Sequence, residues 1–221
     1  MARVRVRVPS GAPGCSSRAG RGPGRRTRSE GWTPLGNGVV VLSGPPCSGK
    51  SEVARLLSSH WSTTGRHCIE VDAVFTMLLP GSDRNSADRM LAYDAAHAVA
   101  RALLDRGHTP ILECTYSRRT QRAALVQAIA DLPATPLWVV EFSVSPDEAV
   151  RRFRQSAAHR ATDLTEHLVR ERAATFPYTD RALRLRDDDA SPATRAREIS
   201  GWIHREPDPV DRNTWAAAGK D

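Results

Sequence analysis

The segment Gly44-Pro45-Pro46-Cys47-Ser48-Gly49-Lys50-Ser51 constrains the fold of this 221-residue chain more than any other feature. It matches the pattern G-x-x-x-x-G-K-[ST], in which a glycine-rich loop wraps a phosphate group. The apolar run at residues 39–42 has the character of a strand buried on both faces. Residues 50–61 place their apolar side chains on one helical face. A strand, a loop and a helix in this order predict a phosphate-binding loop at the end of a buried strand.

The residue types of this loop suit the binding of a nucleotide. Gly44 and Gly49 allow the backbone to approach a phosphate closely, and the N–H groups at the helix start point toward its oxygens. We expect Lys50 to reach the β- and γ-phosphates and the Ser51 hydroxyl to ligate Mg²⁺. Four further residues complete the predicted nucleotide site: Pro45, Pro46, Cys47 and Ser48. ATP and Mg²⁺ are therefore the expected ligands, with GTP left open because no motif reads the base.

Short apolar runs alternate with amphipathic segments along the chain. Strands are predicted at residues 39–42, 67–71, 109–115, 137–144 and 182–186, with helices between them. This alternation predicts an α/β P-loop NTPase fold, a three-layer sandwich whose five-stranded parallel sheet carries helices on both faces. Ligands of such sheets bind beyond the carboxyl ends of the strands. The candidate site residues all fall at that edge.

The composition divides the chain into three segments. Residues 1–36 are rich in Arg, Gly, Pro and Ser, and we predict that they are disordered. A nucleic-acid-binding arm, a transit peptide and a dispensable extension are all open for them, and we favour the last. Residues 37–205 are predicted to form the P-loop domain, with an Arg-bearing helical lid at about residues 146–177. Residues 206–221 are expected to be a loose tail.

The formal net charge of +7 lies in the N-terminal segment. Residues 1–38 contain eight Arg and one acidic residue, and removing them from the 32 basic and 25 acidic residues leaves 24 of each. The body of the protein is therefore formally neutral. This distribution disfavours a general nucleic-acid-binding surface on the folded domain.

The cysteine and hydropathy patterns indicate a cytoplasmic protein without a membrane span. No run of 18 apolar residues occurs in the chain. The four cysteines are widely spaced and form no CxxC pair: Cys15, Cys47, Cys68 and Cys114. We interpret them as reduced thiols rather than disulfides or zinc ligands.

Two carboxylates are predicted at the ends of strands. Asp72 is expected to end the second strand, where it would accept the proton of an attacking hydroxyl. A helix N-cap is the alternative for this residue. Glu113 lies late in the third strand, and an acid in an apolar strand needs a partner if it is buried. We predict that its partner is Mg²⁺, with a solvated strand end as the alternative.

Two groups of arginines are candidates for binding anions. Four follow the fourth strand: Arg151, Arg152, Arg154 and Arg160. From a closing lid they would stabilise charge on the transferred phosphate, and Arg152 and Arg160 are the favoured pair. Three follow the third strand: Arg118, Arg119 and Arg122. These are candidates for an acidic group of the substrate or the transferred phosphate, and a solvated helix face is the alternative for both groups.

In their order along the chain, these elements resemble the P-loop kinases of the AAA-domain, zeta-toxin and polynucleotide-kinase-like group. The resemblance covers about residues 39–178. It rests on the loop Gly44–Ser51, Asp72, the helix before Gly107, residues 111–115 with Arg122, and the lid residues Arg152 and Arg160–Asp163. It implies that Asp72 acts as the base and that lid arginines bind phosphates. Phe75 stands where polynucleotide kinases usually carry Arg, and Glu113 where Asp is commoner, so the pattern is nearest to the small-molecule, chloramphenicol-type phosphotransferases.

These observations predict an enzyme that transfers the γ-phosphate of Mg-ATP to a hydroxyl of a small molecule. A polynucleotide 5′-hydroxyl kinase is the alternative, and nucleic acid is then the partner. An NTP-hydrolysing switch or a toxin-like protein without a small-molecule acceptor is the second alternative. Neither the acceptor nor the oligomeric state follows from the sequence.

A variant that begins at Leu35 should fold and retain ATP turnover, because the preceding residues contain no apolar pattern that could pack. Circular dichroism and ADP release, compared with the full chain, test this expectation. Precipitation or loss of turnover would make the segment part of the fold or the site. A loss confined to RNA or DNA binding would instead identify it as a nucleic-acid arm.

Overall fold

The computed structural model describes residues 38–61, 65–156, 163–186 and 190–221, and the predicted N-terminal tail lies outside them. These residues form a sheet of five strands: β1 (Val39–Ser43), β2 (Arg66–Glu70), β3 (Thr109–Glu113), β4 (Leu137–Phe142) and β5 (Leu183–Leu185). The strand order is β2-β3-β1-β4-β5, and every neighbouring pair is parallel. The five-stranded parallel sheet predicted from the sequence is confirmed.

The described helices are α1 (Lys50–Trp61), α2 (Val71–Leu78), α3 (Ser86–Leu104), α4 (Arg119–Ala128), α5 (Pro146–Gln155), α6 (Glu166–Ala174), α7 (Pro192–His204) and α8 (Arg212–Ala217). Successive residues of β1 point to opposite sides of the sheet. Val39 and Val41 pack in a core with α2, α3, α4 and α8, whereas Val40 and Leu42 pack with α1 and α7. The sheet therefore has helices on both faces. None of the helices in these residues is long and apolar enough to cross a membrane.

Helices α5 and α6 form a separate pair above the sheet edge. Val150 of α5 and Val169 of α6 belong to a small core of their own. Helix α5 begins at Pro146 after Ser145, whose side chain accepts a hydrogen bond from the Glu148 backbone N–H at 3.2 Å. This cap satisfies one of the N–H groups that the first helical turn leaves unpaired. The pair lies within the residues expected to form the lid.

The transition from β2 to α2 differs from the prediction. Strand β2 ends at Glu70, and Asp72 lies in the first turn of α2 rather than at the end of the strand. Glu70 occupies the N-cap position of α2, so Asp72 is not the cap. Strand β3 ends at Glu113, whose partner in the sheet register is Glu70. Three carboxylates therefore come together at one edge of the sheet.

Residues 206–221 pack against the domain, in contrast to the loose tail expected from their polar composition. The Val210 backbone N–H donates to the Leu137 carbonyl at 2.8 Å, and the Trp215 side chain is fully buried. Arg212 donates to three backbone carbonyls beyond the end of α4. Two large apolar side chains and one guanidinium are sufficient to attach this segment, although its apolar residues are too few to form a periodic pattern.

A buried guanidinium joins α4 to the C-terminal segment. Arg122 is fully buried, and its N–H groups donate to the carbonyl oxygens of Tyr116, Pro177 and Trp215 at 2.8, 2.7 and 3.0 Å. The Thr179 hydroxyl accepts a fourth hydrogen bond at 3.2 Å. Burial lowers the pKa of Arg122. Its hydrogen bonds compensate for the loss of water around a buried charge, so this side chain belongs to the core.

Replacing Arg122 with Met should destabilise the protein by about 3–5 kcal/mol, because its four hydrogen-bond acceptors lose their donor. The buried carboxylate of Glu141 also loses one of its two cations among the described residues, and Arg184 at 3.6 Å is the other. Urea unfolding followed by circular dichroism measures this change. Arg119→Met on the same helix is the control, since its side chain is 53% exposed and should cost less than about 1 kcal/mol. Equal losses in the two variants would contradict the core role of Arg122.

Candidate active site

The carboxyl ends of β2 and β3 and the loop after β1 border one cavity of about 1320 Å³. The phosphate loop and Arg152 line one side of it. Helices α2, α3 and α6, the start of α4 and the end of the chain line the other side. Pockets for one small ligand usually measure about 300–1,000 Å³. This cavity therefore has room for a nucleotide and a second ligand.

The phosphate loop has the backbone geometry that its two glycines permit. Gly44 and Gly49 have φ angles of 147° and 88°, in the region that L-residues rarely adopt. A Cβ atom on Gly44 would lie 2.5 Å from the Phe142 carbonyl oxygen. The Gly44 N–H and the Ser43 hydroxyl both donate to the Thr115 carbonyl, at 3.4 and 2.9 Å. The start of the loop is therefore hydrogen-bonded to the segment after β3 and lies close to the end of β4.

The Lys50 ammonium group lies within the curve of the same loop. The side chain is 6% exposed, and Nζ donates to the Pro45 carbonyl oxygen at 2.8 Å. Ser48 Oγ lies 3.4 Å from Nζ and accepts a second hydrogen bond. Helix α1 begins at Lys50, so its first N–H groups face the same space. An anion in this space would meet both the ammonium group and the helix N-terminus.

Ser51 and Glu113 form a hydrogen-bonded pair beside the loop. The Ser51 hydroxyl donates to Glu113 Oε1 at 3.2 Å, and Glu113 is 5% exposed. Burial raises the pKa of Glu113, whereas the charge of Lys50 lowers it. No group of three or more His, Cys, Asp and Glu side chains suited to a metal occurs in the described ranges. Mg²⁺ usually takes one or two protein ligands together with phosphate oxygens, so this pair fits the predicted ligand set.

The Asp72 carboxylate faces the cavity from the first turn of α2. Its Oδ1 atom accepts a hydrogen bond from Arg84 in an ion pair. The Asp72 side chain keeps 41% of its surface exposed, so a ligand in the cavity can reach it. The position fits the predicted role of a base, although the carboxylate lies on a helix.

The sequence did not single out Arg84, which is the partner of Asp72. Arg84 is 8% exposed, its Nε atom lies 3.1 Å from Asp163 Oδ1, and its guanidinium carbon lies 4.2 Å from the centre of the Phe75 ring. Phe75 is the position where the resembled polynucleotide kinases usually carry Arg. In this protein the guanidinium of Arg84, which lies in a loop nine residues later, packs over the Phe75 ring. The loop has no periodic pattern, so no sequence signal pointed to this contact.

Only part of the predicted lid cluster meets the phosphate loop. Arg152 lines the cavity, and one of its terminal N–H groups donates to the Cys47 carbonyl at 3.4 Å. Arg151 and Arg154 are exposed and pair with Glu148 of α5 and Glu166 of α6. Arg160 lies outside the described residues. Among the described members of the cluster, Arg152 is therefore the one in contact with the loop.

The three arginines of the second group lie in three different environments. Arg118 lines the cavity, and it donates to the Asp221 carbonyl oxygen at 3.0 Å. Arg119 is not among the cavity residues, and its Nε atom lies 3.2 Å from the Asp221 carboxylate. Arg122 is enclosed in the core, which corrects its predicted substrate role. Two further cavity cations, Arg172 and Lys220, were not among the predicted site residues, and Lys220 falls in the segment that was expected to be a loose tail.

Comparisons with known proteins agree with this architecture. The AAA domain family matches residues 39–178, which is more than half of the chain. No curated protein sequence matches it significantly.

Several solved structures share the fold at low sequence identity. The APS kinase of Mycobacterium tuberculosis is 22% identical, with a TM-score of 0.58 over 77% of this chain and 99% of that chain. A sugar kinase from Janibacter sp. is 18% identical, with a TM-score of 0.56 over 84% and 99%. A gluconokinase from Sinorhizobium meliloti is 20% identical, with a TM-score of 0.56 over 79% and 95%. The chain belongs to the AAA domain family and has the α/β P-loop NTPase fold of these kinases.

Proposed function

We propose that this protein is a phosphotransferase that moves the γ-phosphate of Mg-ATP to a hydroxyl of a small molecule. The observation that carries the proposal is the position of Asp72, a reachable carboxylate in the same cavity as the phosphate loop. A phosphate-binding loop alone serves hydrolysis and transfer equally well. A carboxylate beside a second ligand space is what a hydroxyl acceptor requires.

In the proposed reaction the acceptor hydroxyl oxygen forms a bond to the γ-phosphorus. The bond between that phosphorus and the β–γ bridging oxygen breaks, and its electron pair leaves with ADP. Asp72 accepts the hydroxyl proton, while its ion pair with Arg84 orients the carboxylate. Lys50 and Arg152 are the cations at the phosphate loop that would oppose the charge on the transferred group. Mg²⁺ held by Ser51 and Glu113 would neutralise charge on the phosphates.

The division of the cavity supports transfer rather than simple hydrolysis. Besides the loop, helices and the C-terminal segment line the cavity, and they contribute both polar and apolar side chains. Such a lining offers a shaped site for an organic acceptor. Two of the similar structures are a sugar kinase and a gluconokinase, whose names describe small-molecule kinases. The fold shared with these kinases supports a small-molecule acceptor for this protein as well.

Lys50→Ala should lower phosphate transfer by at least about 10²-fold, because loss of one such electrostatic contact removes about 3 kcal/mol of transition-state stabilisation. Transfer of labelled γ-phosphate, screened over alcohols, nucleosides, antibiotics and 5′-hydroxyl oligonucleotides, measures the effect. Arg151→Ala is the control, since this exposed lid residue pairs with Glu148 on its own helix. Turnover of Lys50→Ala at the wild-type rate would remove the phosphate-loop assignment.

Asp72→Asn and Glu113→Gln should impair phosphate transfer in different ways. Asp72→Asn removes a proton acceptor, so transfer should fall by about 10²–10⁴-fold while AMP-PNP binding changes little. The lower end is expected, because a loose phosphoryl transition state needs less help from a base. Glu113→Gln should instead raise the Mg²⁺ concentration needed for half-maximal rate.

Transfer rates over a Mg²⁺ titration, with nucleotide binding by calorimetry, distinguish the two variants. Normal transfer by Asp72→Asn, together with loss of transfer by Glu113→Gln at unchanged Mg²⁺ dependence, would reverse the two roles. ADP formation that no added acceptor stimulates would favour a hydrolysing switch over the proposed transferase.

A further inference from the structure

Three of the cations that line the cavity lie outside the phosphate loop: Arg118, Arg172 and Lys220. They come from different elements, namely the N-cap position of α4, the last turn of α6 and the C-terminal segment. Within the described part of the chain, Arg172 and Lys220 form no ion pair, whereas Arg118 donates to the main-chain oxygen of Asp221 at 3.0 Å. The proposed transfer chemistry, which uses Lys50 and Arg152 at the loop, assigns them no role.

Of the three cations, Arg172 gives the strongest indication of a bound anion. Its side chain is only partly exposed, and it makes no hydrogen bond within the described ranges. Burial lowers the pKa of Arg172, attraction to Asp163 opposes this change, and repulsion from Arg89 and Arg118 adds to it. A half-buried guanidinium without a hydrogen-bonding partner is costly in a folded protein, because its five N–H donors lose water without replacement. A ligand that supplies an anionic oxygen would remove this cost.

The C-terminal segment brings Lys220 to the same region. The backbone of Lys220 forms a parallel bridge with Arg118, and Lys220 Nζ donates to the Thr175 hydroxyl, three residues after Arg172. A Cβ atom on Gly219 would lie 2.5 Å from the Arg119 backbone nitrogen, so the segment lies directly on the start of α4. Lys220 is therefore a neighbour of Arg118 and of Thr175, which lies about one helical turn after Arg172.

The neighbouring carboxylates are largely engaged elsewhere. Asp163 pairs with Arg84 and Arg89, at 3.1 and 2.9 Å. Asp221 pairs with Arg119 at 3.2 Å. Glu171 also lines the cavity, and its charge attracts the Arg172 guanidinium. The remaining positive charge is concentrated where an acceptor would bind.

We propose that Arg118, Arg172 and Lys220 bind an anionic group of the phosphate acceptor, so that the substrate is a small alcohol carrying a carboxylate or a phosphate. This inference rests on the proposed function, in which Asp72 accepts the proton of the acceptor hydroxyl. The three cations would bind the anionic group of the same molecule. Guanidinium groups bind carboxylate and phosphate oxygens through paired N–H donors, and the ammonium group adds a third point of contact. A neutral alcohol would leave the charge of Arg172 without a bound anion.

Binding of an inorganic anion tests the cluster without any transfer reaction. The probe is sulfate, titrated by calorimetry into the full chain saturated with Mg²⁺ and AMP-PNP, so that the phosphate loop is occupied. Arg172→Gln should weaken sulfate binding by about 10- to 100-fold, the usual contribution of charge-assisted hydrogen bonds. Arg170→Gln is the matched control, because Arg170 lies on the same helix, is 52% exposed and pairs with Asp147 at 2.6 Å.

AMP-PNP affinity equal to that of the wild type shows that each variant is folded. Arg172→Lys supplies a second variant, which retains charge without the paired donors and should fall between the wild type and Arg172→Gln. Absence of sulfate binding to the wild type, or equal binding by Arg170→Gln and Arg172→Gln, would overturn the anion site whatever the enzyme's activity.

Kinetics with matched acceptors then identify the anion. Glycerate and glycerol 3-phosphate are compared with neutral glycerol, and one of the two anions should exceed glycerol by at least about 10-fold in kcat/KM. Arg172→Gln should reduce that preference through KM, whereas Arg170→Gln should not. Transfer to neutral alcohols alone would overturn the inference and leave the phosphotransferase proposal standing. Transfer only to a 5′-hydroxyl oligonucleotide would overturn the small acceptor, and sulfate binding without any transfer would count against the proposed function alone.

Discussion

The position of β1 between β3 and β4 determines where the site forms. Both edges of β1 are hydrogen-bonded, and all five of its residues are buried. Because parallel strands end at the same edge of a sheet, this arrangement brings the phosphate loop, Glu113 and the start of the α5–α6 pair together. The close approach of Gly44 to Phe142 leaves little freedom for the loop. The rigid part of the site is therefore a direct consequence of the strand order.

The parts of the site that follow from local patterns were predictable. The loop Gly44–Ser51 and the limits of α1 depend on neighbours in the sequence, and Glu113 was identified because an acid in an apolar strand needs a partner. The base candidate Asp72 was located at the right position but on the wrong element. The end of a strand and the start of a helix depend on hydrogen bonds that a hydropathy pattern does not report.

The parts that depend on distant contacts were not predictable. Arg84 pairs with Asp163, 79 positions later, and Arg122 donates to Trp215, 93 positions later. Arg84 was not singled out and Arg122 was predicted to bind substrate or phosphate, because burial of a guanidinium is decided by the carbonyls and carboxylates that the fold brings to it. The same reason applies to Lys220, whose place in the cavity depends on the attachment of α8. Sequence periodicity identifies which residues form the core but not which charged residues join it.

The hydrogen bonds of Arg122 have an evolutionary consequence. One guanidinium satisfies acceptors from three places, the turn after β3, the segment after α6 and helix α8, through Tyr116, Thr179 and Trp215. A lysine cannot replace it, because a single ammonium group cannot reach acceptors in all these directions. Related proteins that lack this arginine should therefore also differ at Thr179 and in the C-terminal helix. These positions would covary in an alignment even though none of them touches the phosphate loop.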